Sequence, residues 1–250
     1  NATDDKTGNA VSGTLNPQAQ EGQSIHVAAS VGVNVTEHSA KTQIHGNLTV
    51  GGLKANVENS GNFTTASTGA AISEATNSNC VGAAVAVSAN GNKAIIEISD
   101  DVTIVVTGNP GSDEGKNADP ILGNVELSTA LNQNSTGEAL GRYGVLAISG
   151  SSSGKGGKVG LAGSVAVLIA KGISAILIGD NVTITGSENG TVSIHAADKS
   201  KLSAAAIAAT KSGGAAAGVG ASFALLYAKN EVLAQAGNNF TVSAKDFSMT

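Results

Sequence analysis

The side chains able to do chemistry are few, and their spacing suits little of it. Carboxylates fall as a pair at Asp100 and Asp101 and as a loose group, Asp113, Glu114 and Asp119, in the segment Gly108 to Pro120. Hard oxygen donors of this kind suit calcium, but no Asp-x-Asp-x-Asp-Gly loop or Gly-Gly-x-Gly-x-Asp nonapeptide surrounds them. A solvated acidic loop is therefore the simpler reading, with Asp113, Glu114 and Asp119 as weak calcium candidates. His26, His38, His45 and His195 lack the spacing of a zinc site, and Cys80 has no second cysteine to join it in a cluster or a disulfide. Serines abound without a Gly-x-Ser-x-Gly elbow. A sugar-cleaving site needs clustered acids beside aromatic platforms, and here the acids are scattered into turns. The sequence assigns no catalytic residue and calls for no cofactor.

Composition narrows the classes further. Among 250 residues there are 40 Ala and 33 Gly, but only four Phe, two Tyr and no Trp. Few large side chains remain to shape a pocket, while small ones let backbones pack closely. The net charge of -5, pI near 5.3 and a single arginine, Arg142, oppose nucleic-acid binding, which needs clustered cations to displace counterions. The charged fraction is 13% and the mean hydropathy +0.10, so the chain is not a disordered polyelectrolyte. It starts at Asn1 without a basic, apolar leader, and it reads as a piece of something longer.

Four segments line up: SVGVNVTEHSAKTQIHGNLTV from Ser30, AVAVSANGNKAIIEISDDVTI from Ala84, SVAVLIAKGISAILIGDNVTI from Ser164 and SFALLYAKNEVLAQAGNNFTV from Ser222. The alignment equates Leu48, Val102, Val182 and Phe240, and a second block equates Leu53, Val125 and Val192. The repeats run approximately over 22–83, 84–163, 164–221 and 222–250, in a single unit of about 55 residues per repeat. The second copy is longer, which isolates insertions at 108–120 and 131–138 as projecting loops. Such loops often carry binding, and the candidate binding residues are Asn109, Asp113, Glu114, Lys116, Asn117, Asn132 and Asn134.

Within a unit the apolar signal has period two, and the breaks are KG, GDN, SENG and KSGG. No long helix is evident. The expected fold is all-β, a right-handed parallel β-helix with about two triangular rungs per repeat, each of roughly 27 residues, with Ala, Val and Ile in inward ladders. Asn47, Asp101, Asn181 and Asn239 are placed at corners, where Asn and Asp tolerate a left-handed conformation. The apolar stretch Val159 to Gly179 is broken by Lys171 and Gly172, so membrane insertion is not expected. Asn-x-Ser/Thr tripeptides begin at Asn34, Asn47, Asn62, Asn134, Asn181, Asn189 and Asn239, besides the one at Asn1, and turn asparagines before β-branched strands account for the repeat's own.

At GLAGSVAVLIAKGISAILIGDNVTIT, GVGASFALLYAKNEVLAQAGNNFTVSA and VSIHAADKSKLSAAAIAA, the chain resembles the filamentous-adhesin-like and leukotoxin-like β-solenoid repeats of very large secreted bacterial surface proteins. The resemblance covers roughly Gly22 to the end and transfers no catalytic residue. It implies an extracellular, cell-surface rod acting in adhesion or aggregation. Its partners would be a host-cell or neighbouring-cell receptor or glycan, and further copies joined end to end or laterally, because open strand edges invite pairing. Alternatives are the passenger region of a secreted toxin acting on host membranes, and a β-helix carbohydrate-active enzyme.

Overall fold

The computed structural model describes residues 2–15, 25–72, 78–108, 122–134, 144–153, 159–212 and 217–250, and every regular element among them is a strand. Ahead of the first repeat lies β1 (Ala2–Leu15), and the first repeat carries β2 (Ile25–Ile44), β3 (Leu48–Val50) and β4 (Leu53–Ile72). The second carries β5 (Asn79–Ile98), β6 (Thr103–Val106), β7 (Val125–Asn134) and β8 (Val145–Ser153). The third has β9 (Val159–Ile178), β10 (Thr183–Thr185), β11 (Thr191–Asp198) and β12 (Ala204–Ser212), and the fourth β13 (Ala217–Ala236), β14 (Thr241–Ser243) and β15 (Asp246–Met249).

These form three sheets in which every pairing is parallel. The long sheet has the order β2-β5-β9-β13 and the short sheet β3-β6-β10-β14. The split sheet has the order β12-β8-β4-β7-β11-β15, with β1 also on β4. It is split because β4 pairs with β7 through Leu53 to Asn62 and with β8 through Thr65 to Ile72, so one strand spans two of the next layer.

The ladders advance by one whole repeat. Ile25 pairs with Asn79 (79 − 25 = 54), Cys80 with Gly160 (160 − 80 = 80) and Val159 with Ala217 (217 − 159 = 58). Among the described residues no ladder runs at the half-unit interval of about 27 residues expected for two rungs per repeat. The reason lies in the interior of the long strands. Lys171-Gly172 reads as a turn, yet β9 runs straight through it, as β5 and β2 do through the matching SANGNK and TEHSAK segments. Side-chain amides from the split sheet hold backbone carbonyls there. Asn59 Nδ2 donates to His38 O at 3.0 Å and to Lys93 O at 2.9 Å, and Gln133 Nε2 donates to Lys171 O at 3.2 Å.

A second correction concerns the first corner. Leu48 pairs with Ile104, not with the position of Val102, whereas Thr103, Thr183 and Thr241 stack as expected. The His45-Gly46-Asn47 corner is therefore two residues tighter than the later ones, and Asn47 Oδ1 accepts a hydrogen bond from Thr103 N at 2.7 Å.

Two kinds of interior follow from side-chain size. Where all three sheets meet, the strands turn Ile96, Ile98, Ile104, Leu127, Ile176, Ile184 and Ile194 inward around a continuous aliphatic core. Burying each contributes about 1.5–3 kcal/mol. Beyond that head, the long and split sheets face each other alone, and the inward ladders turn mostly to small residues: Ala84, Ala86, Ala147 and Ala166, with Ser88, Ser149 and Ser164, beside Val145 and Leu168. The sheets come close enough that a Cβ on Gly82 would lie 2.0 Å from Gly150 O. On β2 the valines take the outer face instead. Val27, Val31, Val33 and Val35 all point outward and are more than half exposed.

Candidate functional site

The corner ladder is built from side chains that accept a strained backbone. Asp101, Asn181 and Asn239 have φ of 59°, 57° and 57°, and Asn47 is not among the residues of positive φ. Asn181 Nδ2 donates to Asp101 Oδ1 at 2.9 Å, and Asn239 Nδ2 donates to Asn181 Oδ1 at 2.9 Å. One residue earlier, Asp180 N donates to Asp100 Oδ1 at 2.8 Å and Asn238 N to Asp180 Oδ1 at 2.6 Å. The carboxylates of Asp100, Asp101 and Asp180 thus accept the bonds that tie one layer's corner to the next. No group of three or more His, Cys, Asp or Glu side chains able to hold a metal ion occurs among the described residues.

The expected projecting loops divide. Asn109, Asp113, Glu114, Lys116, Asn117 and Asp119 lie outside the described residues. Asn132 and Asn134 do not project in a loop: both lie in β7, paired in register with Ser60 and Asn62 of β4. Alternation carries the ladder past Leu131, because Leu131 and Gln133 point into the interior while Asn132 takes the outer face. Asn34, one of the Asn-x-Thr positions, stands on the inward-facing side of β2.

The outer face of the split sheet at β4 and β7 differs from that of the long sheet's arm, although in its own arm half the split sheet exposes Ile72 and Ile207. The split sheet shows Lys54, Asn56, Glu58, Ser60 and Asn62 on β4 and Glu126 and Ser128 on β7, linked by a Lys54–Glu126 ion pair at 2.8 Å and a Ser128–Asn56 hydrogen bond at 2.8 Å. The long sheet is apolar over its arm. Its rows, read across β2, β5, β9 and β13, are Val27-Val81-Leu161-Val219, then Ala29-Ala83-Gly163-Ala221, then Val31-Val85-Val165-Phe223. Val33-Val87-Val167-Leu225 and Val35-Ala89-Ile169-Tyr227 follow. Exposure reaches 74% at Val35 and 56% at Phe223, so large apolar side chains stand in solvent as a continuous field. The sequence displays this as Val alternating with Ala, Gly or Ser. Period two shows two faces and does not say which is buried.

The next row toward the head is charged: Glu37, Gly91, Lys171 and Lys229. A shallow groove of about 480 Å³ crosses the strands here. Lys93 pairs with Glu37 at 3.4 Å and Lys229 with Glu231 at 2.9 Å, and the second contact holds the Lys229 ammonium above its ordinary value. Closer to the head, Glu97 is held below the usual carboxylate range by hydrogen bonds from Lys41 and from Gln43 Nε2.

Under the groove lies a polar seam between the two interiors. Thr36 Oγ1 donates to Asn90 Oδ1 at 2.8 Å and Ser88 Oγ to the same oxygen at 3.2 Å. Asn92 is 1% exposed, and neither polar atom of its amide has a partner among the described residues. No helix among the described residues is long and apolar enough to cross a membrane. No protein-family model, curated protein or solved structure matches this chain.

Proposed function

We propose that the chain is a structural and adhesive segment of a large secreted bacterial surface protein, a right-handed β-solenoid rod that carries binding surfaces away from the cell. The observation that supports it is the register. Each repeat adds one parallel layer to three sheets at intervals of 54, 80 and 58 residues, an arrangement that can be extended by further repeats without new packing rules. Its partners in this reading are a host-cell or neighbouring-cell receptor or glycan and other copies of the chain, end to end or laterally, outside the cell. In this reading the acidic segment 108–120 is the place for receptor contact.

The test is adhesion of fluorescent beads coated with the purified chain to host cells and to bacterial cells, against beads carrying a chain lacking 109–120. Binding that falls with the deletion supports the reading. Equal, background-level binding of both to every cell type overturns it.

One observation favours a second reading, a toxin passenger acting on host membranes: the exposed apolar field of the long sheet is a surface lipid could cover. Leakage of dye from host-lipid vesicles on adding the chain would support it. A carbohydrate-active enzyme remains the third reading, and release of reducing ends from host or bacterial polysaccharides is its test.

A further inference from the structure

We propose that two copies of this chain pair face to face through the outer face of the long sheet, about a two-fold axis that runs along the stack of layers between the row of Ala83 and the row of Val85. This deepens the lateral-association part of the adhesive reading and does not depend on any receptor.

The argument starts from relief. The row Ala29-Ala83-Gly163-Ala221 is made only of the smallest side chains and is flanked on both sides by rows of Val, Leu and Phe. It is a trough crossing all four strands, and nothing lies within 4 Å of where a Cβ on Gly163 would stand. A two-fold axis along the stack reverses strand direction and keeps layer order. Set midway between the trough and the ridge Val31-Val85-Val165-Phe223, it drops each copy's ridge into the other's trough, and β5 lies on β5.

The rest of the field then matches itself. The Leu225 row meets the Val219 row, and the Tyr227 row meets the strand starts at Ile25 and Ala217. The charged row of Glu37, Lys171 and Lys229 falls beyond the partner's strand starts, so among the described residues no charge is buried. The other in-plane two-fold axis would set each row on itself, ridge on ridge and trough on trough. Relief therefore selects one axis.

Area agrees. Four strands and the span Ile25 to Val35 give a field of roughly 19 by 36 Å, about 700 Å² per copy, near the 800 Å² or so per partner of a standard stable interface. A lipid surface needs no trough and gains nothing from a self-matching order of rows.

The experiment is sedimentation velocity of the chain over a concentration series, beside Gly163→Lys and Val85→Lys, with circular dichroism to verify that each variant is folded. The space at Gly163 lets a side chain in without touching the monomer. The expected result is a closed dimer, weakened by roughly a hundredfold or more in either folded variant because each buries two unpaired ammonium groups. Spin labels at Lys93→Cys are expected about 60 Å apart across the dimer, since eighteen residues of strand separate them through the axis. A wild-type monomer at every concentration would sink the proposal, as would oligomers that both folded variants retain, which is the outcome of pairing through strand edges. A short label distance, or a monomer that floats with phosphatidylcholine vesicles, overturns it in favour of another axis or of lipid.

Discussion

Gly69 faces the carbonyl of Ala83 so closely that a Cβ built on it would lie 1.9 Å from the oxygen. This contact sets the distance between the long and split sheets in the arm. Gly69→Ala must push the sheets apart and is expected to cost about 3 kcal/mol or more. Gly163→Ala, on the outer face with open space, is expected to stabilise by about 0.5–1 kcal/mol through the unfolded chain. Urea denaturation of the two variants measures both. Equal effects would contradict the close approach.

The corner ladder predicts a split between two substitutions of Asn181, whose φ is 57° and whose amide both donates to Asp101 and accepts from Asn239. Asn181→Ala loses both bonds and keeps a side chain in a conformation it resists, at a cost of about 1–2 kcal/mol for the backbone alone. Asn181→Gly loses the bonds but fits the backbone, and is expected to be the milder change in thermal denaturation. A glycine variant as unstable as the alanine one would place the energy in the side-chain bonds.

Two buried asparagines should respond in opposite directions. Asn59→Ala removes the donors to His38 O and Lys93 O and leaves carbonyls of two layers unmet, a loss of about 1–3 kcal/mol. Asn92→Ala removes an amide with no partner among the described residues, and is expected to leave stability unchanged or raise it by about 1 kcal/mol. The comparison of their chemical-denaturation midpoints is the check, and a large loss for Asn92→Ala would show that its amide is satisfied.

Acid should remove one surface contribution. The carboxyl of Glu97 lies below its ordinary value of 4.5 in the folded chain because Lys41 and Gln43 donate to it. A depressed carboxylate contributes stability that is fully present above the unfolded value and is lost as pH falls through the folded one. The Lys229 ammonium, raised above 10.5 by Glu231, works in the opposite sense: its contribution is present below that value and fades as pH rises past it. Both pairs are exposed and screened by salt. Denaturation midpoints followed downward in pH should fall less steeply in Lys41→Gln than in the wild type, and identical slopes would remove the assignment.

The repeat interval was legible because Leu53, Val125 and Val192 head strands that stack in one column, and their spacing is the ladder offset. The straight run of the long strands was not. A Lys-Gly pair such as Lys171-Gly172 reads as a turn locally, but parallel ladders to β5 and β13 run through it and the amide of Gln133, distant in sequence, adds a bond to Lys171 O. Nor was the shorter first corner legible, because Asn47 mimics the later corner asparagines while its side chain bonds to Thr103 instead. The direction of the valines was hidden for a related reason. Size usually decides which face is buried, but in the arm the sheets approach so closely at Gly69 and Gly82 that mostly small residues lie between them. Of the candidate loop, only Asn132 and Asn134 fall within the described residues, and their alternation with Leu131 and Gln133 makes them strand.

All three sheets run their ladders in one direction, along the stack, and that fixes how the molecule bears load. A pull along the stack axis draws on the inter-layer hydrogen bonds end-on, so layers detach singly from whichever end is held, and each event frees the slack of one repeat. For the first interval of 54 residues that slack is roughly 18 nm, and for the second, of 80 residues, roughly 27 nm. A pull along the strands meets the same bonds in shear, all at once. Such a stack yields in graded steps when tugged lengthwise and resists as a block when sheared across, which makes it an extensible shock absorber in one direction and a stiff plate in the other.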